Sequence, residues 1–237
     1  MKPVNNERHA PTVVGRVGPY RAVSLSKIVD PADEQRRCVI RRHRAEVRGV
    51  VDYHSDMDIM SHLGTHVEAP YHHSDEMEDV TQLAPDRFVG RGVLLRLETC
   101  GPRALITRAA LGAADRGRVQ AEDVVILDSP YHHEPFVESP EDDRPQLSRE
   151  SAEWFAEKGV KAIGFGDGIA IENSPEHCIA VHDILMGRGI TFIEVLQHLD
   201  RIEHGIFLVI FLPLLIRELD SSPVHVLVIE GVPGFTD

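Results

Sequence analysis

Residues 62–72 read His-Leu-Gly-Thr-His-Val-Glu-Ala-Pro-Tyr-His, and His73 follows. His62, His66, Glu68 and His72 are all even-numbered, so an extended strand would turn all four side chains to one face. Gly64 shares that face and leaves room between His62 and His66. A helix would also pair His62 with His66, but Gly64 weakens it and Pro70 would disrupt its continuation. The segment is therefore expected to be an extended or looped ligand strip. A single His on an apolar strand is ordinarily a hydrogen-bonded core residue. Five of them between positions 54 and 73 (His54, His62, His66, His72 and His73), interleaved with carboxylates, point instead to a metal site. Imidazole nitrogen with carboxylate oxygen and no paired thiolate suits a catalytic zinc site, or manganese or iron, better than a structural cysteine site.

The 237 residues suffice for one large domain or two small ones. Hydrophobic content of 42 % and charged content of 27 % are those of a globular protein with a core. The net charge of −13 argues against general nucleic-acid binding. One basic stretch stands apart: Arg36, Arg37, Arg41, Arg42, Arg44 and Arg48. It reads as a solvated strand or hairpin face, with the sharper alternative that one Arg reaches over the pocket to a substrate carboxylate. Cys38, Cys100 and Cys178 are widely spaced and odd in number, which fits a reducing cytoplasm rather than a disulfide framework. The N-terminus lacks the apolar core of a signal peptide. The longest apolar run, Ile206 to Ile216, is too short for a bilayer and contains Pro213.

Residues 1–19 read as an N-terminal arm and 20–237 as a single mixed α/β or α+β domain. Strands are expected at Tyr20–Val29, Gly92–Leu97, Val124–Leu127, Val160–Phe165, Ile206–Leu212 and Val224–Ile229. A long hairpin over 36–60 feeds the His strip. Thr107–Asp115 is a short helix with Thr107 as N-cap. Ser148–Lys158 is a second helix, capped by Ser148 and stopped by Gly159. Glu176–Met186 and Phe192–Ile202 read as two further helices, the latter with Ile193, Leu196, Leu199 and Ile202 on one face. Residues 134–147 read as a surface loop. The turn Gly164-Phe165-Gly166-Asp167-Gly168 lacks the third glycine of a dinucleotide fingerprint, so neither it nor nearby Glu172 marks such a site.

A second cluster of ligand types lies downstream. His182 sits in one expected helix, and Glu194 at the start of the next. Each alone has an ordinary explanation, as a core histidine and as a helix-start carboxylate. The turn at Gly187–Gly189 could fold both onto one site, although spacing alone does not place them there.

The strip 62–72 resembles the signature H-x-G-T-H-x-D-x-P-x-H of the cyclase family of metal-dependent hydrolases, which includes bacterial kynurenine formamidases and isatin hydrolases. The stretch His182–Glu194 resembles that family's second signature, a His followed twelve residues later by a Glu. Phe211-Leu212-Pro213-Leu214 and Asp220-Ser221-Ser222-Pro223-Val224 resemble its closing strands. The resemblance covers roughly residues 20–230.

The resemblance implies a swivelling β/β/α domain in a homodimer or larger homo-oligomer. It implies His62, His66 and Glu68 as metal ligands, His182 and Glu194 completing a second position or a single site, and His72 as general acid/base. Zn2+ is the first expected ion and Mn2+ the second, one or two per subunit. The chain departs from the pattern at Glu68, where the family has Asp. The extra methylene, about one ~1.5 Å bond, would shift the ion or turn a bridging carboxylate into a terminal one. The implied activity is cleavage of an amide, formamide or lactam bond of a small substrate, aromatic ones included, through a metal-activated water. The alternatives are a lyase or cyclase step with the same ion, and a non-catalytic metal-binding protein with a degenerate site. Pro-Tyr-His-His recurs at 130–133, making His132 and His133 weak candidates for the substrate pocket. No nucleic acid or membrane partner is expected, and the location implied is cytoplasmic.

Overall fold

The structure is a computed structural model, and it describes residues 12–130, 143–171 and 174–236. Fourteen strands run through them: β1 (Val14–Val17), β2 (Tyr20–Ser24), β3 (Cys38–Val47), β4 (Val50–Ile59), β5 (His66–Glu68), β6 (Val89–Arg96), β7 (Leu105–Ile106), β8 (Val124–Asp128), β9 (Gln146–Leu147), β10 (Ala162–Gly166), β11 (Thr191–Leu196), β12 (Ile206–Ile210), β13 (Ser221–Pro223) and β14 (Leu227–Glu230). Three α-helices join them: α1 (Arg108–Asp115), α2 (Arg149–Lys158) and α3 (Pro175–Leu185). Ten strands form one mixed sheet in the order β1-β2-β14-β12-β6-β8-β10-β11-β5-β13. β3 and β4 form a separate hairpin, and β7 and β9 a short parallel pair.

The middle strands are buried on both faces, which is why they read as unbroken apolar runs. In β6 and β8 the side chains alternate: Val93, Leu95, Val125 and Leu127 join the helices on one face, while Leu94, Val124 and Ile126 enter the core on the other. The helix-side core gathers Leu111, Trp154, Phe155, Val181 and Leu185. The opposite core draws Val23, Val228, Val209, Ile193 and Val67 from strands at both ends of the sheet. The sheet curls around it: Ser26 bridges Leu196, and the Gln197 N–H donates to the Leu25 carbonyl at 2.9 Å.

Local signals placed two helices as expected. Thr107 caps α1 by accepting from the Ala110 N–H. Ser148 and Ser151 form a reciprocal capping box on α2, which Gly159 ends at φ 68°. The expected helix over 192–202 is instead strand β11 followed by a 3-10 turn at Leu199–Arg201. Phe192 and Ile193 are adjacent, fully buried, and belong to opposite cores. A strand buried on both faces offers apolar residues at helical spacings too, and periodicity alone misreads it. Val14–Val17, assigned to the arm, pairs antiparallel with β2. The first strand stops at Ser24 rather than Val29. The strand expected at Val224–Ile229 is β14 alone, starting at Leu227, and β13 is a separate strand ahead of it. Most of the 134–147 loop lies outside the described residues.

The His strip is extended over only three residues. Gly64 has φ +59°, and a Cβ there would meet Val29 Cγ2 at 2.6 Å, so the chain bends before β5. Pro70–His72 is a 3-10 turn, with Pro at its start. Only His66 and Glu68 therefore share a strand face, with Val67 buried on the other.

Candidate metal centre

Strand β5 lies between β11 and β13, antiparallel to both. The register sets Glu194 opposite His66 and Phe192 opposite Glu68 on the helix-bearing face. His182 sits in the last turns of α3, its ring centroid 5.2 Å from that of Phe192. The 3-10 turn after β5 returns His72 to the same place, 4.8 Å from His62 and 5.9 Å from His182 between ring centroids. His62 comes from the bend ahead of β5, where its carbonyl accepts from the Arg36 guanidinium at 2.6 Å. Thr65 ties that bend down: its hydroxyl donates to the Val195 carbonyl at 2.7 Å and accepts from the Lys27 N–H at 2.8 Å.

Glu68 is the hub. Its Oε1 is 2.9 Å from His62 Nδ1, 3.5 Å from His66 Nε2 and 4.0 Å from His72 Nε2. Glu194 Oε2 is 3.5 Å from His66 Nε2. All six residues read from the sequence, His62, His66, Glu68, His72, His182 and Glu194, thus gather at one place. Asp220, just ahead of β13, joins them: its Oδ2 is 2.8 Å from His62 Nε2 and 3.4 Å from His72 Nδ1. Sequence reasoning placed Asp220 only in a closing strand, because nothing in a lone Asp 158 positions from His62 signals contact.

The outer nitrogens of the histidines are occupied. His66 Nδ1 donates to the Gly64 carbonyl and His182 Nδ1 to the Cys178 carbonyl, both at 2.8 Å. His62 Nε2 is taken by Asp220. The inner nitrogens face the carboxylates. Ligand histidines are usually held by the ring nitrogen that does not meet the metal. Two fully buried atoms, His66 Nε2 and Glu68 Oε2, have no hydrogen-bond partner. Leaving each bare costs about 1–3 kcal/mol, which a cation between them would relieve. Ligand atoms of His62, His66 and Glu68 lie within 4.8 Å of one another, as do those of Glu68, His72 and His182, and those of His62, His72 and Asp220. A nitrogen and oxygen set of this kind fits a divalent ion of the zinc or manganese class.

Burial pushes the Glu68 carboxyl up, but the His62 hydrogen bond and the nearby His66 and His72 imidazoles outweigh it and hold it well below the usual carboxylate range. Burial pushes His62 down, and its bonds to Glu68 and Asp220 reverse that and raise it above 6.5. Asp220 is likewise raised by burial but lowered more by His62 and His72, and ends below 3.8.

Other sequence candidates lie elsewhere. His54 stands opposite His43 on the β3–β4 hairpin. His73 Nε2 is 3.0 Å from Asp183 Oδ1, tying the 3-10 turn to α3. Arg42 stacks over Tyr53 at 4.7 Å, and Arg37 pairs with Asp58 at 3.0 Å. His132, His133 and Glu172 lie outside the described residues.

A relative named kynurenine formamidase from Bordetella petrii is 27 % identical over 179 residues, covering 74 % of this chain and 80 % of its own. Another of that name, from Bacillus cereus, is 26 % identical over 177 residues, covering 70 % and 75 %. Isatin hydrolase A from Labrenzia aggregata shares the fold with a TM-score of 0.74 at 19 % identity, over 90 % of this chain and 94 % of that one. The family model described as "Putative cyclase" matches residues 12–173 and so takes in the His62–His72 strip. With well over half its length matched, the chain belongs to the cyclase family.

Proposed function

We propose that this chain is a metal-dependent hydrolase that cleaves an amide, formamide or lactam C–N bond of a small substrate, aromatic ones included. The observation that carries this reading is the buried pair of unpartnered polar atoms, His66 Nε2 and Glu68 Oε2, ringed by imidazoles with half-exposed His72 at the rim. The names of the formamidase and isatin hydrolase relatives support the choice of bond.

His62, His66, Glu68, His182 and Glu194 would hold the ion, with zinc first and manganese second. One ion or two would be held there, and the ligand atoms of His62, His66 and Glu68 lie within 4.8 Å of one another. A bound ion polarises the scissile carbonyl and acidifies water. His72 Nε2 faces Glu68, so the imidazole can take a proton from the attacking water and deliver it to the leaving nitrogen. Such a role is worth ~10²–10⁴-fold. Anionic Glu68 holds the imidazoles around it in place.

The chain would act as a homodimer or larger homo-oligomer. Both faces of the β3–β4 hairpin are exposed, including Val50, Val51, Tyr53 and Met57. Its arginine-rich strand suits the surface of another copy of an acidic chain. A cytoplasmic location is supported by the lack of any disulfide among Cys38, Cys100 and Cys178. Among the described residues, no helix is long and apolar enough to cross a membrane.

The test is a panel of aryl formamides, lactams and esters offered to zinc- or manganese-loaded protein in H₂¹⁸O. Label in the new carboxylate supports hydrolysis. A dehydrated or ring-closed product without label assigns a lyase instead. Metal-replete protein inert across the panel overturns the proposal.

A further inference from the structure

We infer that Asp220 is a positioning residue that fixes two histidines of the centre at once, holding His62 toward the ion and setting the tautomer of His72. The inference rests on the metal-site reading above and extends it to a residue outside both sequence signatures.

Each ring is held at its outer nitrogen. His66 and His182 lie in a strand and a helix, and a carbonyl of the local backbone reaches the outer nitrogen of each, at Gly64 and Cys178. His62 lies in the bend before β5, outside any strand or helix. Its outer nitrogen is taken by a side chain instead, the Asp220 carboxylate at 2.8 Å. A carboxylate in that place orients the ring and makes its other nitrogen a stronger donor to a metal. For His62 that other nitrogen is Nδ1, which already points at Glu68 Oε1.

The same oxygen serves His72. Asp220 Oδ2 is 3.4 Å from His72 Nδ1, while His72 Nε2 faces Glu68 Oε1 at 4.0 Å. A carboxylate accepts and cannot donate, so the His72 proton is drawn to Nδ1 and the lone pair left on Nε2. That is the tautomer a base at the rim needs. The backbone supports the arrangement. The Asp220 carbonyl accepts the Ala69 N–H at 2.9 Å, and the next residue, Ser221, stands opposite Glu68 in the β5–β13 ladder. Asp220 is thus registered to the ligand strand by the sheet itself, although it is part-exposed.

The experiment compares wild type, Asp220→Ala and the isosteric Asp220→Asn, each alone and with His72→Ala. Zinc affinity is read by competition with a chromophoric chelator, and kcat and KM on whichever panel substrate is turned over. Loss of an outer carboxylate of this kind weakens metal binding by ~10–100-fold. Asp220→Ala should show that loss with an unchanged stoichiometry, and a fall in kcat larger than any change in KM. With His72 already removed, Asp220→Ala should still weaken zinc but cost no further kcat. Asp220→Asn keeps an accepting oxygen but loses the charge, so it should retain part of both effects. Should Asp220→Ala fail to fold, the same measurements on Asp220→Asn decide. Zinc affinity unchanged in both variants overturns the assignment of His62. A kcat loss that persists in the His72→Ala background overturns the assignment of His72. Wild-type protein that takes up no zinc at all overturns the metal reading together with this one, whereas the other outcomes leave that reading standing.

Discussion

Glu194 stands directly across the β5–β11 ladder from His66, with Oε2 3.5 Å from His66 Nε2. The two side chains come from strands more than a hundred residues apart, yet the sheet's register alone sets them face to face. Glu194→Gln keeps the shape and removes the charge, so it should lower zinc or manganese affinity by at least ~10-fold. His66→Ala removes a buried donor outright and should lower the metal content of purified protein further. Elemental analysis after dialysis against a fixed free-metal concentration reads both. Full stoichiometry and unchanged affinity in both variants would count against the site.

His72 is the most exposed imidazole of the group that touches Glu68, and its role is separable from metal binding. His72→Ala is expected to keep the ion while turnover drops ~10²–10⁴-fold. Near-wild-type kcat in this variant would refute the proton-carrying role.

Acid–base behaviour of the metal-free protein follows from the shifts at three residues. Glu68 and Asp220 lie below their ordinary values of 4.5 and 3.8, so the stability they lend is present above those values and lost as pH falls through the lowered ones. His62 lies above 6.5, so its contribution is complete below that pH and lost as pH rises through the raised value. The contacts should stabilise most between roughly pH 4.5 and 6.5. Thermal melts with a chelator present should show the difference between wild type and His62→Ala peaking there and shrinking on both sides. A difference that is flat across that range would contradict the charge assignments.

Gly64 makes the bend that turns His62 toward β5. A side chain there costs roughly 1–2 kcal/mol for the left-handed backbone, before any contact with Val29. Gly64→Ala should therefore lower Tm by at least ~2–8 °C. Adding Val29→Ala should recover only the part due to the 2.6 Å contact. Complete recovery would show that the backbone is not strained.

The β3–β4 hairpin is long, and two-stranded hairpins are marginal alone. Ile40 and Met57 stand opposite each other in it, and both are exposed. Ile40→Glu with Met57→Lys should shift the protein toward monomer in sedimentation velocity while leaving metal content intact. Wild type that sediments as a monomer at micromolar concentration would remove the case for an oligomer.

Features set by adjacent residues were the most legible in the sequence. The caps at Thr107 and Ser148 and the stop at Gly159 involve atoms a few residues apart, and the structure has them as read. The His strip was legible as chemistry and less so as geometry: the left-handed Gly64 and the turn at Pro70 break the alternation that seemed to align it. The segment 192–202 was misread because burial on two faces erases the strand period. His54 is close to the strip in sequence but lies on the hairpin, while Asp220 is remote in sequence and touches two of its histidines. Long-range pairing decides both cases, and single-sequence patterns carry no trace of it.

The clamping of β5 between β11 and β13 has a consequence for the order of assembly. During synthesis His62–His72 emerges well ahead of the strands that hold it, Thr191–Leu196 and Ser221–Pro223. A nascent chain carries the histidines long before it carries the pocket. Selective metal loading would then wait until Pro223 has left the ribosome.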